Sequence, residues 1–175
     1  MKYYLDTEFI ENGKTIDLIS IGIVSEDDRY YYAISNEFDE SKASDWVKEN
    51  VLAQIKEESH LYKKPRSLIK NEILGFVFDA NYKSSDKPEF WAYYADYDWV
   101  CLCQLFGTMM DLPKGFPMYC KDIKQLCDHL GNPQLPKQEN GNHNALSDAK
   151  HNKVMWQFLK DLSKSFSNSA FTLDI

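Results

Sequence analysis

Three extended, largely apolar runs occupy the first 35 residues and constrain the fold more than any other feature. They span 2–9, 16–25 and 29–35, and they are rich in Tyr, Ile and Leu. Aromatic and β-branched residues favour strands. Only short polar stretches, at 11–14 and 26–28, connect the runs. Because connections this brief join antiparallel neighbours, the runs predict a three-stranded antiparallel meander.

The rest of the chain alternates helical patterns with one apolar strand. In chain order we predict a short helix around 46–47, a helix at 65–78, a strand at 89–94, and helices at 96–106, 122–130 and 144–162. The Ser-rich segment 163–175 is predicted to be a C-terminal tail after a single domain at 1–162. This order predicts an α/β fold of the ribonuclease-H-like type, a mixed sheet of three antiparallel strands followed by parallel strands, flanked by helices.

The composition is that of one globular domain. Hydrophobic residues make up 43% of the 175 positions and charged residues 27%, enough for a single core beneath an ordinary polar surface. No stretch reaches the roughly 20 apolar residues that span a bilayer. Asp6 and Glu8 interrupt any apolar leader that could follow Lys2. These features predict a cytoplasmic protein.

The chain is acidic, with 27 acidic and 20 basic residues and a net charge of −7. It therefore lacks the basic surface by which dedicated modules bind duplex nucleic acid without sequence preference. The charge argues less against a nuclease, because bound divalent cations would offset a carboxylate cluster and attract the phosphate themselves.

Four cysteines, at positions 101, 103, 120 and 127, leave disulfides or a zinc site as alternatives. Cys101 and Cys103 fall in a predicted helix, where residues two apart point to different faces. The spacing also differs from that of zinc knuckles. We therefore predict reduced thiols that pack in the interior.

An acidic pair, Asp6 and Glu8, interrupts the first apolar run. Alternate residues of a strand face the same side, so both carboxylates project into one space. The alternative is a solvated strand face, since Asp-x-Glu is common by chance. However, the preceding Tyr3, Tyr4 and Leu5 indicate a central strand, where an acidic pair without a partner is costly.

Asp148 is a third acidic candidate, because it shares a helix face with Met155 and Leu159. A buried, ionised carboxylate needs a partner charge or a metal, and no Lys or Arg is placed to serve both Asp148 and the first-strand pair. His143 alone is typical of an exposed loop, given its Gly and Asn neighbours. Next to Asp148 it becomes a candidate site residue.

Asp96 and Asp98 follow the predicted strand and open the next helix. Asp often caps a helix at this position, and one of the two is expected to do so. The other is a candidate fourth carboxylate, because ligand groups gather at the carboxyl ends of strands in open α/β sheets.

In chain order, these motifs resemble those of the DEDDh exonucleases, a superfamily that includes proofreading exonuclease subunits, ribonuclease T and oligoribonuclease. They are Asp6-x-Glu8 in the first strand, Tyr97-Asp98 before a helix, and His143-x-x-x-x-Asp148 at the head of the last helix. The resemblance spans about residues 1 to 160, and the run 90–98 is especially similar to a small subgroup of bacterial and phage-type 3′-to-5′ exoribonucleases.

Within this resemblance Asp98, rather than Asp96, corresponds to the middle aspartate of the family, because it follows an aromatic residue. The family commonly has Asn four residues before that aspartate. Here the position is Tyr94, so the resemblance does not specify the local contacts to substrate.

The resemblance implies hydrolysis from the 3′ ends of single-stranded RNA or RNA overhangs, releasing nucleoside 5′-monophosphates. Four carboxylates can hold two Mg²⁺ or Mn²⁺ ions about 4 Å apart. By the resemblance, Asp6 would bridge both ions, Glu8 and Asp148 would complete one site, and Asp98 would support the other.

Two further roles concern the water and the substrate. By the resemblance, His143 would be the general base for the attacking water, which suits an imidazole that titrates near neutral pH. Glu8 and Phe9 are candidate substrate-binding residues, Phe9 by stacking on the terminal nucleotide. Phe9 can equally be an ordinary core residue. The remaining histidines match no motif and are predicted to lie on the surface: His60, His129 and His151.

Other functions remain open at this point. A DNA exonuclease would use the same machinery, because the catalytic residues do not themselves read the sugar. A catalytically idle nucleic-acid-binding or protein-binding module would keep the fold, although it would have no reason to keep a costly acidic cluster. The sequence also leaves a homodimer possible.

Overall fold

Strands β1 (Lys2–Glu11), β2 (Ile16–Ser25) and β3 (Tyr30–Ser35) form the antiparallel meander predicted from the three apolar runs. The structure is a computed structural model that describes residues 1–56, 58, 60–79, 82–83, 87–139, 141 and 143–170, with the backbone alone for 166–170. Three shorter strands complete the sheet: β4 (Lys63–Lys64), β5 (Glu89–Ala92) and β6 (Lys121–Asp122).

The sheet has the order β4-β3-β2-β1-β5-β6, so β1 is a central strand, as its apolar residues predict. β5 runs parallel to β1, and β6 parallel to β5. This mixed topology confirms the predicted fold class. The two-residue strands β4 and β6 are too short for an alternating pattern and were not predicted.

Helices cover both faces of the sheet. In chain order they are α1 (Asp45–Val47), a π-helical turn (Lys48–Leu52), α2 (Ala53–Lys56), α3 (Arg66–Val77), α4 (Asp96–Phe106), α5 (Ile123–His129) and α6 (Ala145–Ala170). Short 3₁₀ turns lie at Glu40–Lys42, His60–Tyr62 and Met109–Asp111. Among the described residues, no helix combines the length and the apolar character needed to cross a bilayer.

The ends of β5 and α6 differ from the prediction for reasons that the structure shows. β5 ends at Ala92 because Tyr94 adopts a left-handed backbone conformation, with φ of 58°, that a strand cannot accommodate. α6 continues to Ala170 instead of ending at 162. The hydroxyls of Ser163 and Ser165 donate to carbonyls one turn back, so serine is compatible with helix here. The domain limit at 162 stays a prediction, and 171–175 lie outside the described residues.

The cysteines are free, as predicted: Cys101, Cys103 and Cys127 are buried, while Cys120 is half-buried. Burial raises the pKa of the Cys101 thiol to about 12, so the thiol stays protonated and packs as a small apolar group.

The alternation of β1 directs its residues to two different cores. Tyr3 and Leu5 pack on one face of the sheet in a core that includes α3 and α4. Tyr4 packs on the other face against Met155 and Trp156 of α6. Asp6 and Glu8 therefore point to the α6 face, where they meet the start of that helix.

Two features bring the site together at this end of the sheet. β5 pairs with β1 only as far as Tyr4, so the edge of β1 is open from Leu5 onward. Asn152 of α6 is buried and donates to the Leu5 carbonyl at this open edge, at 2.8 Å. On the opposite side, α6 begins directly against Gly22 of β2, where an added Cβ would lie 2.2 Å from the carbonyl oxygen of Ala145.

Candidate active site

Three carboxylates converge where β1 meets α6. Oxygens of Asp6, Glu8 and Asp148 all lie within 4.8 Å of one another, and each residue is half-buried. Asp6 and Glu8 share a face because strand residues alternate. Asp148 approaches from the first turn of α6, where its N–H donates to the Asn144 carbonyl. Residues far apart in the chain therefore form one acidic group.

The carboxylates in this group resist ionisation. Burial and the repulsion of Asp98, Asp148 and Glu8 raise the pKa of Asp6 well above its usual value. Burial, followed by repulsion from Asp148 and Asp98, raises the pKa of Glu8 to about 8. A positive charge placed among these groups would therefore relieve an unfavourable interaction.

Asp98 lies beside this group, at the open edge of β1. It is 6% exposed, and its Oδ1 accepts hydrogen bonds from the Thr7 N–H at 2.8 Å and the Thr7 hydroxyl at 2.7 Å. Burial raises its pKa to about 7, against the lowering effect of these two bonds. Its charge repels Asp6 more than that of any other carboxylate does, so Asp98 belongs to the same electrostatic unit.

The expectation that Asp96 or Asp98 caps α4 was wrong. The N-cap is Ala95, whose side chain makes no capping bond. The Ala95 N–H instead donates to Asp122, the last residue of β6, at 3.0 Å. Asp96 is exposed. Asp122, distant in the chain, therefore binds the start of α4. Asp98 makes no capping bond and instead accepts hydrogen bonds from β1.

His143 supports Asp148 through its backbone. The His143 N–H donates to Asp148 Oδ2 at 2.9 Å, and the Gln138 side chain donates to Oδ1 at 2.6 Å. His143 has a φ of 63°, a conformation uncommon outside glycine. Its ring packs edge-to-face on Trp46, with centroids 4.8 Å apart. The imidazole therefore lies beside the acidic group. Its nitrogens are not among the potential ligand atoms that lie within 4.8 Å of one another.

Phe9 lies between the core and the surface of the site, and its contact to substrate stays a prediction. It is half-buried against the α3 and α4 core, and its ring stacks on Tyr97 with centroids 5.4 Å apart and an interplanar angle of 9°. Tyr97 is 47% exposed and presents the outer aromatic face of this pair. Trp46, 53% exposed, presents a second such face beside His143.

Among the described residues, the group of potential metal ligands likewise contains none of the other histidines. His60 and His129 are exposed, as predicted. His151 is instead half-buried, with its ring nitrogen 3.1 Å from the Pro136 carbonyl oxygen. His151 therefore connects α6 to the loop that precedes this helix.

Sequence reasoning missed Thr7, Gln138, Asn152 and Trp46. Thr7 was visible as the middle residue of Asp6-x-Glu8, but alternation alone places it on the opposite face. Asn152 could have been found as a polar residue one turn after Asp148 on the same helix face. Gln138 reaches the site from a loop without regular structure, and no sequence pattern marks it.

The donor set fits a hard divalent cation. All candidate ligands are carboxylate oxygens, which Mg²⁺ and Mn²⁺ prefer. The raised pKa values of Asp6 and Glu8 show that their negative charges are not neutralised by neighbouring side chains. Asp6, Glu8 and Asp148 could hold one such ion, and Asp98 lies close enough to raise the pKa of Asp6.

A mixed sheet with carboxylates on its central strand and at the head of its last helix is typical of exonucleases with the ribonuclease-H-like fold. A crystal structure of a full-length 3′-exonuclease shares this fold, with a TM-score of 0.50 and 12% identity over 91% of this chain and 81% of that one. A family model described as the 3′-5′ exoribonuclease Rv2179c-like domain matches residues 1–160. The chain belongs to this family of 3′-5′ exoribonucleases.

Two curated relatives support the assignment. The 3′-5′ exoribonuclease Rv2179c of Mycobacterium tuberculosis strain H37Rv and the 3′-5′ exoribonuclease MT2234.1 of strain CDC 1551 / Oshkosh are each 41% identical to this chain over 150 residues. The alignments cover 86% of this chain and 88% of each relative. The resemblance drawn from the three sequence motifs is confirmed.

Proposed function

We propose that this chain removes nucleoside 5′-monophosphates from the 3′ end of single-stranded RNA or RNA overhangs with two Mg²⁺ or Mn²⁺ ions. The observation that carries the proposal is the convergence of Asp6, Glu8 and Asp148 within 4.8 Å, with Asp98 beside them. When bound, such ions activate a water and stabilise the leaving 3′ oxygen. Asp6 would be shared between the ions, because the other three carboxylates all lie near enough to raise its pKa.

The protein groups around the carboxylates hold them in place. Gln138 and the His143 N–H fix both oxygens of Asp148. His143, anchored by that bond, is the proposed general base for the attacking water. Glu8 and the Phe9–Tyr97 pair are the proposed contacts of the terminal nucleotide, because the exposed Tyr97 ring offers a face on which a base can stack.

The first test is digestion of a 5′-labelled single-stranded RNA. We expect a ladder that shortens one nucleotide at a time in Mg²⁺ or Mn²⁺ and stops when EDTA is added. A matched DNA oligomer measures whether the enzyme requires the 2′-hydroxyl. Internal cleavage, or shortening that persists in EDTA, would contradict the proposal.

A second prediction concerns His143→Asn. Asn tolerates the left-handed backbone at this position and keeps the N–H that binds Asp148, but it has no imidazole. The rate should fall by about 10²- to 10⁴-fold, the contribution typical of a general base. The Mn²⁺ dissociation constant, measured by calorimetry, should change little. An unchanged turnover rate would exclude His143 as the base.

A further inference from the structure

Thr7 lies between Asp6 and Glu8 in the chain, yet it faces the other side of β1. It is 5% exposed and donates twice to the same atom, Asp98 Oδ1, through its N–H at 2.8 Å and its hydroxyl at 2.7 Å. A buried hydroxyl is costly unless it is hydrogen-bonded. Asp98 accepts the hydrogen bond of this hydroxyl, so the side chains of these two residues form a buried unit.

The N–H of Thr7 is available because β5 leaves β1 after Tyr4. In a continued sheet a neighbouring strand would accept this N–H. Here Asp98, in the first turn of helix α4, takes that place. Because β5 ends early, the edge of β1 is open at Thr7, and Asp98 forms its hydrogen bond there.

Two donors on Oδ1 determine how the carboxylate is turned. They occupy one oxygen and fix the plane of the group, while Oδ2 has no hydrogen bond from the described residues. The hydroxyl is on a β-branched side chain with few rotamers, so its direction is well defined. Asp98 is held by these bonds against β1, at the residue between Asp6 and Glu8. Its second oxygen is therefore the one available to the metal site.

We propose that Thr7 is a positioning residue of the metal site, whose hydroxyl fixes Asp98 so that its second oxygen serves the ions held by Asp6. This inference rests on the proposed function. The Thr7 side chain faces away from those of Asp6 and Glu8, so it would influence the ions through Asp98. Partners that orient metal ligands typically contribute 10- to 100-fold to metal affinity or activity.

The test compares Thr7→Val with Thr7→Ser in the full chain. Val keeps the shape and strand preference of Thr but removes the hydroxyl, whereas Ser keeps the hydroxyl. For Thr7→Val we expect the Mg²⁺ concentration at half-maximal rate, and the Mn²⁺ dissociation constant from calorimetry, to rise at least about tenfold. Thr7→Ser should stay within about threefold of the original protein. Thr15→Val, which removes an exposed hydroxyl in the β1–β2 turn, is the matched control.

A double-substitution cycle separates positioning from general damage. In an Asp98→Asn background, Thr7→Val should cause no further change in the Mn²⁺ dissociation constant, because the group through which it acts is already altered. An unchanged metal requirement in Thr7→Val, the same loss in Thr7→Ser, or a full additional loss in the Asp98→Asn background would each overturn the inference. If the original protein binds Mn²⁺ but shortens no RNA, the proposed function fails, whereas the binding measurements still decide the role of Thr7.

Discussion

Asp6→Asn should lower the rate of RNA shortening by about a thousandfold, equivalent to roughly 4 kcal/mol of transition-state stabilisation. The same substitution should raise the melting temperature of the metal-free protein at pH 8. Asp6 is the carboxylate that all the others repel, so a neutral amide of the same shape removes the repulsion together with the metal ligand. The variant would gain stability at the expense of function.

The pH dependence of stability follows from the same repulsion. The folded-state pKa of Asp6 is raised, and that of Glu8 is raised to about 8, so the folded protein binds these protons more tightly than the unfolded chain does. Their favourable contribution is present below the unfolded pKa of about 4 and is lost as the pH rises through the folded value. The metal-free protein should therefore be less stable at pH 8 than at pH 5.

Thermal unfolding in EDTA from pH 5 to pH 8 measures this effect. A net change of about 1 kcal/mol shifts the melting temperature of a protein this size by roughly 3 °C. The fall in melting temperature from pH 5 to pH 8 should be smaller in Asp6→Asn. At pH 8, Mg²⁺ should raise the melting temperature of the original protein much more than that of the variant. A metal-free variant less stable than the original at pH 8 would show that Asp6 makes favourable contacts that outweigh the repulsion.

Gly22→Ala should both destabilise the fold and impair the site. An added Cβ would lie 2.2 Å from the Ala145 carbonyl oxygen and 2.6 Å from Leu146 Cα, so it meets backbone rather than a movable side chain. Overpacking typically costs about 1 to 3 kcal/mol. The strain is relieved only by moving the start of α6 away from β2, which carries Asp148 away from Asp6 and Glu8.

Gly75→Ala is the matched control, because a Cβ at this position of α3 meets nothing within 4 Å. It should stabilise the helix by roughly 0.5 to 1 kcal/mol. The measurements are the melting temperature and the Mg²⁺ requirement, taken well below the unfolding transition. Gly22→Ala with the original melting temperature and activity would mean that α6 does not depend on close contact with β2.

The sequence alone determined those strands and helices that depend on patterns of neighbouring residues. Alternation and short connections define the meander of β1, β2 and β3, and period two places Asp6 and Glu8 on one face. The helical period also identified α4 with its observed limits and the face of α6 that carries Asp148. In each case the information lies within a few neighbouring residues.

Only the tertiary structure decided how these elements combine into a site. The approach of α6 depends on the missing side chain of Gly22, and the direction of Asp98 depends on Thr7 at an edge that β5 leaves open. Gln138 and Asp122 reach the site region from segments distant in the chain. These contacts depend on which backbone edges and faces meet after folding, and local periodicity carries no information about such long-range neighbours.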